Sequence, residues 1–185
     1  MVTKTLSDQK IIDTYNRLVA DGHPDPLGFI ARADIKTHFN PDGVYKDYVG
    51  AFGVNKKLAK ALLYDEEDLY NTDVCYLASL TIDMNNYRKA DQDIDSMYRL
   101  SNKSSDASNE IFLRKLDEKR NWYKDRLVFN NGILFSIDRN HELKDDTPES
   151  VSNKAVMMGD AIYRQADELL RKIIKLVVEE KPING

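Results

Sequence analysis

The stretch IKTHFNPDGVYKDYVGAFG, residues 35–53, decides the fold expected for the N-terminal part of this chain. It places a short helical pattern, a break at Asn40-Pro41 and a second helical pattern in front of Gly53. Asn is a good helix cap, and Pro suits the first helical position because its missing N–H is not needed there. Gly is a common helix stop. The stretch therefore predicts a second helix over about 31–39 and a third over about 41–52.

Two further helices are expected around this pair. Ser7 can cap a first helix that runs to about Asp21, since apolar residues recur on one helical face between them. Gly22 ends that helix, and the two prolines of HPDPLG rule out its continuation. The segment VNKKLAKALL predicts a fourth helix, whose inward-facing residues are expected to be Leu58, Leu62 and Leu63.

Longer helical patterns follow the acidic YDEED segment. Apolar residues recur by threes and fours from Leu69 to Tyr98, over 110–127 and over 149–178. Residues 101–109 are polar and predict a loop, from which Asn109 can cap the next helix. In LVFNNGILFSI, the turn pair Asn131-Gly132 lies between two β-prone runs and predicts a β-hairpin near 126–138.

These patterns together predict a mainly α protein with two domains. The first, residues 1–64, is expected to be a helix-turn-helix-like trihelical domain. The second, residues 65–185, is expected to be a helical assembly region, a long-helix bundle that carries the one β-hairpin.

The charge distribution limits where nucleic acid could bind. The 185 residues carry a net charge of −4, which argues against a protein that coats nucleic acid indiscriminately. Residues 1–62 hold nine Lys or Arg against seven Asp or Glu, whereas residues 63–185 hold eighteen against twenty-four. The N-terminal third is therefore the expected contact. The chain also lacks a run of eighteen apolar residues and a secretory signal, so we expect a cytoplasmic protein without a membrane partner.

The sequence contains no convincing motif for catalysis, a metal or a cofactor. Cys75 is the single cysteine and is expected to be a small buried hydrophobic residue. His23, His38 and His141 are not spaced as a ligand pair. Residues 91–102, DQDIDSMYRLSN, start like a calcium loop but lack its sixth-position Gly and closing Glu. We therefore expect a non-enzymatic protein that needs no cofactor.

The first third of the chain contains several features of a known DNA-binding module. Residues 6–58 combine an opening amphipathic helix, a link containing Pro24 and Pro26, a basic Arg32-Ala33-Asp34-Ile35 helix and the aromatic-Gly pair Phe52-Gly53. In these features the segment resembles the small helix-turn-helix modules found beside phage-encoded nucleases and homing endonucleases. Those modules often continue with Ser or Thr and then an aromatic residue, where this chain has Val54-Asn55. The resemblance implies binding to duplex DNA.

In such a module the third helix would enter the major groove, and lysines of neighbouring helices would hold phosphates. Asp42 and Asp47 on the exposed face of that helix would repel phosphate. The alternative is a helical domain that packs or binds protein through an ordinary solvated surface. The residues expected to bind DNA are Arg32, Lys36, His38, Asn40, Lys46, Lys56, Lys57 and Lys60.

The long helices raise the question of self-association. Their apolar seams can close within one chain as a bundle or between copies as a coil or ring. The last helix ends in KIIKLVVEE, whose apolar residues cover more than one stripe, and this favours a homo-oligomer. A small DNA-recognition domain with a long helical assembly region and a β element is similar in architecture to the small terminase subunits of tailed phages. In that family the β element usually comes last, whereas in this chain a helix follows it.

Two functions from different classes follow. The first is a non-enzymatic, phage-type DNA-binding protein that recognises duplex DNA and self-associates, either as a small terminase-like genome packaging factor or as a transcriptional regulator. The alternative is an acidic helical adaptor or inhibitor, encoded by a phage, that binds a protein partner. The net charge of −6 over residues 63–185 favours the alternative.

Overall fold

The computed structural model describes residues 5–140, 165 and 168–173. The chain is mainly helical with two small antiparallel sheets, which confirms the expected fold class of a mainly α protein with a hairpin. It divides into two compact units, Met1–Leu127 and Val128–Gly185. The boundary expected between residues 64 and 65 lies inside the first unit.

The described residues form helices and two groups of short strands. In chain order the elements are α1 (Asp8–Ala20), α2 (Pro26–Thr37), β1 (Val44–Tyr45), β2 (Tyr48–Val49), β3 (Val54–Asn55), α3 (Lys56–Ala61), a 3-10 helix (Glu66–Tyr70), α4 (Thr72–Lys89), α5 (Ile94–Asn102), α6 (Asp106–Lys124), β4 (Leu127–Asn130) and β5 (Ile133–Ile137).

The first helix forms as predicted, and the second begins earlier than predicted. The Ser7 side chain accepts a hydrogen bond from the Lys10 N–H, and α1 ends just before Gly22, whose φ is +77°. Helix α2 begins at Pro26 rather than at Ala31, because the Asp25 side chain accepts a hydrogen bond from the Gly28 N–H. Pro26, which rules out a continuation of the first helix, therefore occupies the first position of α2.

The prediction of a third helix over 41–52 is wrong. Strands β1, β2 and β3 form a three-stranded antiparallel sheet there, with Val49 opposite both Val44 and Val54. The Asn40 side chain accepts a hydrogen bond from the Asp42 N–H, which closes a turn instead of capping a helix. The β1–β2 turn places Lys46 at a φ of +54°. The three strands contain Val and Tyr residues, which favour β structure.

The long helical run expected from Leu69 to Tyr98 is interrupted. Asp91 and Gln92 have positive φ values, and the Asp93 side chain then caps α5 through the Ser96 N–H. The expected loop at 101–109 is also shorter than predicted. Ser105 caps α6, so Asn109 is a buried residue of that helix rather than its cap.

The hairpin prediction is confirmed, and the last helix is described only in part. Strands β4 and β5 form a two-stranded sheet, and Asn131 and Gly132 between them have φ values of +52° and +78°. These values match the turn that an Asn-Gly pair favours. Residue 165 and residues 168–173 are helical, whereas the rest of the helix expected over 149–178 lies outside the described residues.

Helix α2 lies at the centre of the first unit. One core cluster joins it to α5 and α6 through Ala31, Met97, Tyr98, Phe112, Leu113 and Leu116. On another side, the ring of Phe29 contacts the rings of Phe52 and Tyr76. Leu63, expected to face inward, is 93% exposed because α3 ends at Ala61 and the chain turns at Leu63 with a φ of +70°.

Candidate functional site

Arg32 and Lys36, two of the residues expected to hold DNA phosphates, are buried. Both lie on the inward side of α2 and are 4% and 8% exposed. Their sequence context indicated a basic helix surface, but the chain folds α4, α5 and α6 over that side. The expectation that these side chains face solvent is therefore wrong.

The other expected DNA-binding residues lie at the surface or close to it. His38 ends α2 with its ring 3.2 Å from Asp34, and the Asn40 side chain is used in its turn. Lys56 and Lys57 face carboxylates, at 3.5 Å from Glu66 and 3.4 Å from Asp47. The two remaining residues, Lys46 and Lys60, are exposed.

The Arg32 guanidinium belongs to a buried polar network with Asp83. Its two terminal nitrogens each donate to one Asp83 carboxylate oxygen at 2.7 Å, and one also donates to Ser79 at 3.2 Å. Burial alone would lower the pKa of Arg32, but the Asp83 charge outweighs it and raises that pKa. Burial would raise the pKa of Asp83, whereas Arg32 and His23 together lower it. The pair therefore stays ionised inside the protein.

His23 completes this network, and its geometry argues against a role as a catalytic base. Nε2 lies 2.8 Å from Asp83 Oδ2, and Nδ1 accepts the Asp25 backbone N–H at 2.9 Å. An imidazole whose Nδ1 accepts a backbone hydrogen bond carries its proton on Nε2, so Nε2 donates to Asp83. Both ring nitrogens are thus engaged, and the side chain is fully buried.

Cys75 is buried as predicted and is not an activated nucleophile. Burial raises the pKa of its thiol to about 11, and the sulfur lies 3.8 Å from the Val49 carbonyl oxygen. At neutral pH the group is therefore a thiol rather than a thiolate. In the described part of the chain, no three His, Cys, Asp or Glu side chains are grouped as a metal site.

Lys36 lies in a cage of aromatic rings. Its Nζ is 3.9 Å from the centre of the Tyr48 ring, 4.2 Å from that of Phe112 and 5.9 Å from that of Tyr45. It donates a hydrogen bond of 3.0 Å to Asn102 Oδ1, which also accepts one of 2.6 Å from the Tyr48 hydroxyl. Burial lowers the pKa of Lys36 to about 8, with further contributions from nearby cations, Arg32 first.

No sequence pattern indicates this arrangement. Lys36, Tyr48 and Asn102 come from α2, β2 and the end of α5, and 54 residues separate the last two. Tyr48 lies in the predicted third helix over 41–52, and Asn102 lies in the predicted polar loop over 101–109. The one usable signal is the set of aromatic residues in the 35–53 stretch, since Tyr and Phe rings commonly receive ammonium groups.

The second unit exposes apolar side chains on two of its described elements. On the hairpin, Phe129 is 43% exposed, Ile133 60% and Phe135 67%. Among the described residues of the C-terminal helix, 168–173 are all exposed, including Leu169, Leu170 and Ile173. Large exposed apolar side chains are typical of surfaces that associate when they form a contiguous patch.

Within residues 5–140, 165 and 168–173, no helix combines the length and the apolar character needed to cross a membrane. Comparison of the chain with protein-family models, with curated proteins and with solved structures found no match.

Proposed function

We propose that this chain is a non-enzymatic association module that forms homo-oligomers through its second unit. The observation that carries the proposal is the exposed β4–β5 hairpin, on which Ile133 and Phe135 are 60% and 67% exposed. The opposite face of β5 is packed, since Leu134 between these two residues is 2% exposed. A second copy of the chain can cover the face that carries Ile133 and Phe135.

Exposed side chains of the C-terminal helix support the same proposal. Within the described residues, the sheet of this unit consists of β4 and β5. The exposed Leu169, Leu170 and Ile173 add apolar surface from the C-terminal helix of the same unit.

The non-enzymatic part of the proposal rests on how the reactive groups of the first unit are engaged. Asp83 is bound to both His23 and Arg32, and the Cys75 thiol is buried with a raised pKa. Groups used in this way stabilise the fold and are not poised to act on a substrate.

Duplex-DNA binding stays a prediction, and the structure lends it less support than the sequence does. Residues 41–52 are not a helix that could enter a groove, Arg32 and Lys36 are buried, and Lys56 and Lys57 face carboxylates. The test of this prediction measures the affinity of the protein for short duplex DNA at increasing salt concentrations. A DNA binder loses affinity steeply, and Lys56→Glu with Lys57→Glu weakens binding to every sequence.

Solution mass, measured by light scattering over a range of protein concentrations, tests the association proposal. We expect wild-type protein to be oligomeric and the variant Ile133→Lys with Phe135→Lys to dissociate towards a monomer. The matched control is Val19→Lys with Leu63→Lys, which adds the same charge at exposed apolar positions of the first unit. The control should keep the wild-type mass. A wild-type monomer at every concentration contradicts the proposal.

A further inference from the structure

We propose that Lys36, Lys46 and Lys115, together termed the lysine cluster, form a binding site for a small oxyanion of the phosphate class. Nothing in the proposed association function requires such a site.

Three separate elements bring the lysine cluster together. Lys36 lies on α2, Lys46 in the β1–β2 turn and Lys115 on α6. The Nζ atoms of Lys36 and Lys46 both approach the Tyr45 ring, at 5.9 Å and 5.4 Å from its centre. Lys115 follows Phe112 by three residues on the same helix, and the Phe112 ring lies 4.2 Å from Lys36 Nζ. Residues three apart on a helix are neighbours on its surface.

No member of the lysine cluster forms an ion pair within 4 Å with a carboxylate of the described residues. Lysine–carboxylate pairs within 4 Å there involve Lys56, Lys57 and Lys119, and no member of the cluster. Three carboxylates of neighbouring elements pair with other cations: Asp83 binds Arg32, Asp47 faces Lys57 and Asp34 faces Lys119. Lys36 instead donates to the neutral Asn102. The three lysines therefore have no ion-paired carboxylate within 4 Å among the described residues.

The electrostatics of Lys36 agree with this geometry. Burial is the main cause that lowers its pKa to about 8, and Arg32, Lys46 and Lys115 lower it further. Three cations therefore lower the pKa of one buried ammonium group. The faces of the Tyr48 and Phe112 rings pack against the same group. An anion bound beside the cluster would relieve this repulsion, because opposite charge nearby favours the protonated form of lysine.

The arrangement suits a small anion with several oxygens. Lys46 and Lys115 are exposed and can donate directly, whereas Lys36 is buried and contributes only its charge, with its Nζ 5.9 Å from the centre of the Tyr45 ring. Lysine ammonium groups are compact, rotatable point charges that bind phosphate without demanding a fixed planar geometry. A phosphate dianion interacts with all three charges more strongly than a monovalent anion does.

The test is a titration of the full chain with inorganic phosphate, at an ionic strength held constant with sodium chloride. Backbone amide NMR shifts report binding, and labelled lysine side chains report the pKa of Lys36. We expect saturable shifts around Tyr45 and Phe112, a rise in the Lys36 pKa, and no such response to chloride.

Two paired variants decide the assignment. Lys46→Gln with Lys115→Gln should weaken phosphate binding at least tenfold, whereas the control Lys60→Gln with Lys124→Gln, which removes two exposed lysines elsewhere, should change it less than twofold. Circular dichroism checks that both variants fold. Equal loss in both pairs, or shifts that do not saturate, would overturn the proposal.

A parallel titration with short duplex DNA distinguishes free phosphate from phosphate in a nucleic-acid backbone. Binding of DNA that depends on Lys46 and Lys115, without any response to inorganic phosphate, would also overturn the small-anion site.

Discussion

Arg32 and Asp83 form a two-pronged ion pair inside the first unit, with both N–O distances at 2.7 Å. The pair joins α2 to α4, and its members are 51 residues apart in the sequence. His23 hydrogen-bonds to Asp83, and Ser79 accepts a hydrogen bond from Arg32. The members of the ion pair lie on opposite sides of the boundary expected between residues 64 and 65. Helices on both sides of that position therefore depend on one buried polar network.

Asp83→Asn should destabilise the fold strongly, by about 3–5 kcal/mol, because it leaves the Arg32 charge buried without its partner. Chemical denaturation measures the loss. The control Asp73→Asn changes an exposed carboxylate on the same helix and should cost less than about 1 kcal/mol. A loss below about 1 kcal/mol for Asp83→Asn would show that the network contributes little to stability.

Lys36 should make stability depend on pH in the alkaline range. Its folded pKa of about 8 lies below its usual 10.5, so between these values the unfolded chain binds more protons than the folded chain. The free energy of unfolding contributed by Lys36 therefore rises with pH across that window, by at most about 1.4 kcal/mol for each pH unit.

Lys36→Met isolates this effect. The wild type should gain stability relative to the Met variant as pH rises from 8 towards 10.5, measured by urea unfolding at each pH. Tyr48 opposes the trend, because burial raises its pKa to about 12 in the folded protein. Tyr48 is present in both proteins, so its contribution largely cancels in the difference. A pH-independent difference would contradict the pKa assigned to Lys36.

Gly28→Ala should destabilise α2. A Cβ at Gly28 would collide with the Asp25 carboxylate and the Tyr98 hydroxyl, which are hydrogen-bonded to each other at 2.9 Å. Asp25 also accepts a hydrogen bond from Arg120, so displacing it disturbs α6 as well. We expect a loss of about 2 kcal/mol or more in thermal or chemical unfolding.

Gly22→Ala serves as the comparison for Gly28→Ala. No atom lies within 4 Å of a Cβ built at Gly22, but its φ is +77°. That substitution should therefore cost about 1–2 kcal/mol, from backbone strain alone. If Gly28→Ala proves stabilising, as helix propensity alone would suggest, the contact with Asp25 and Tyr98 is not restrictive.

Gly132→Val should weaken the β4–β5 hairpin without affecting the first unit. The Gly132 φ of +78° is unfavourable for a β-branched residue. Amide hydrogen exchange in β4 and β5 should accelerate, while exchange in α2 stays unchanged. If association uses the hairpin, the solution mass of this variant should also fall. Unchanged exchange in β4 and β5 would show that the turn does not limit hairpin stability.

The sequence predicted those elements whose determinants are local. The Ser7 cap and Gly22 delimit α1, and Asn131-Gly132 specifies the hairpin turn, because each signal acts within a few residues. For residues 41–52, signals within a few residues do not decide between a helix and a turn with strands. Asn-Pro-Asp-Gly can open a helix or close a turn, and the following valines and tyrosines fit a strand as well as a helical face.

The candidate site was less predictable because burial depends on distant partners. Arg32 and Lys36 have the sequence pattern of surface cations on an amphipathic helix, and only Asp83 and Asn102, which are 51 and 66 residues away, explain why they are inside. A charged residue in a sequence does not show whether a partner will meet it in the fold.

By itself, the sequence determined the helical class of this protein, the start of α1 and the turn of its hairpin, since capping and turn chemistry are short-range. Only the tertiary structure decided that residues 41–52 form strands, that Arg32 and Lys36 point inward, and that Gly28 must lack a side chain. Each of these depends on atoms brought together from separate helices, where packing and ion pairing outweigh local preference.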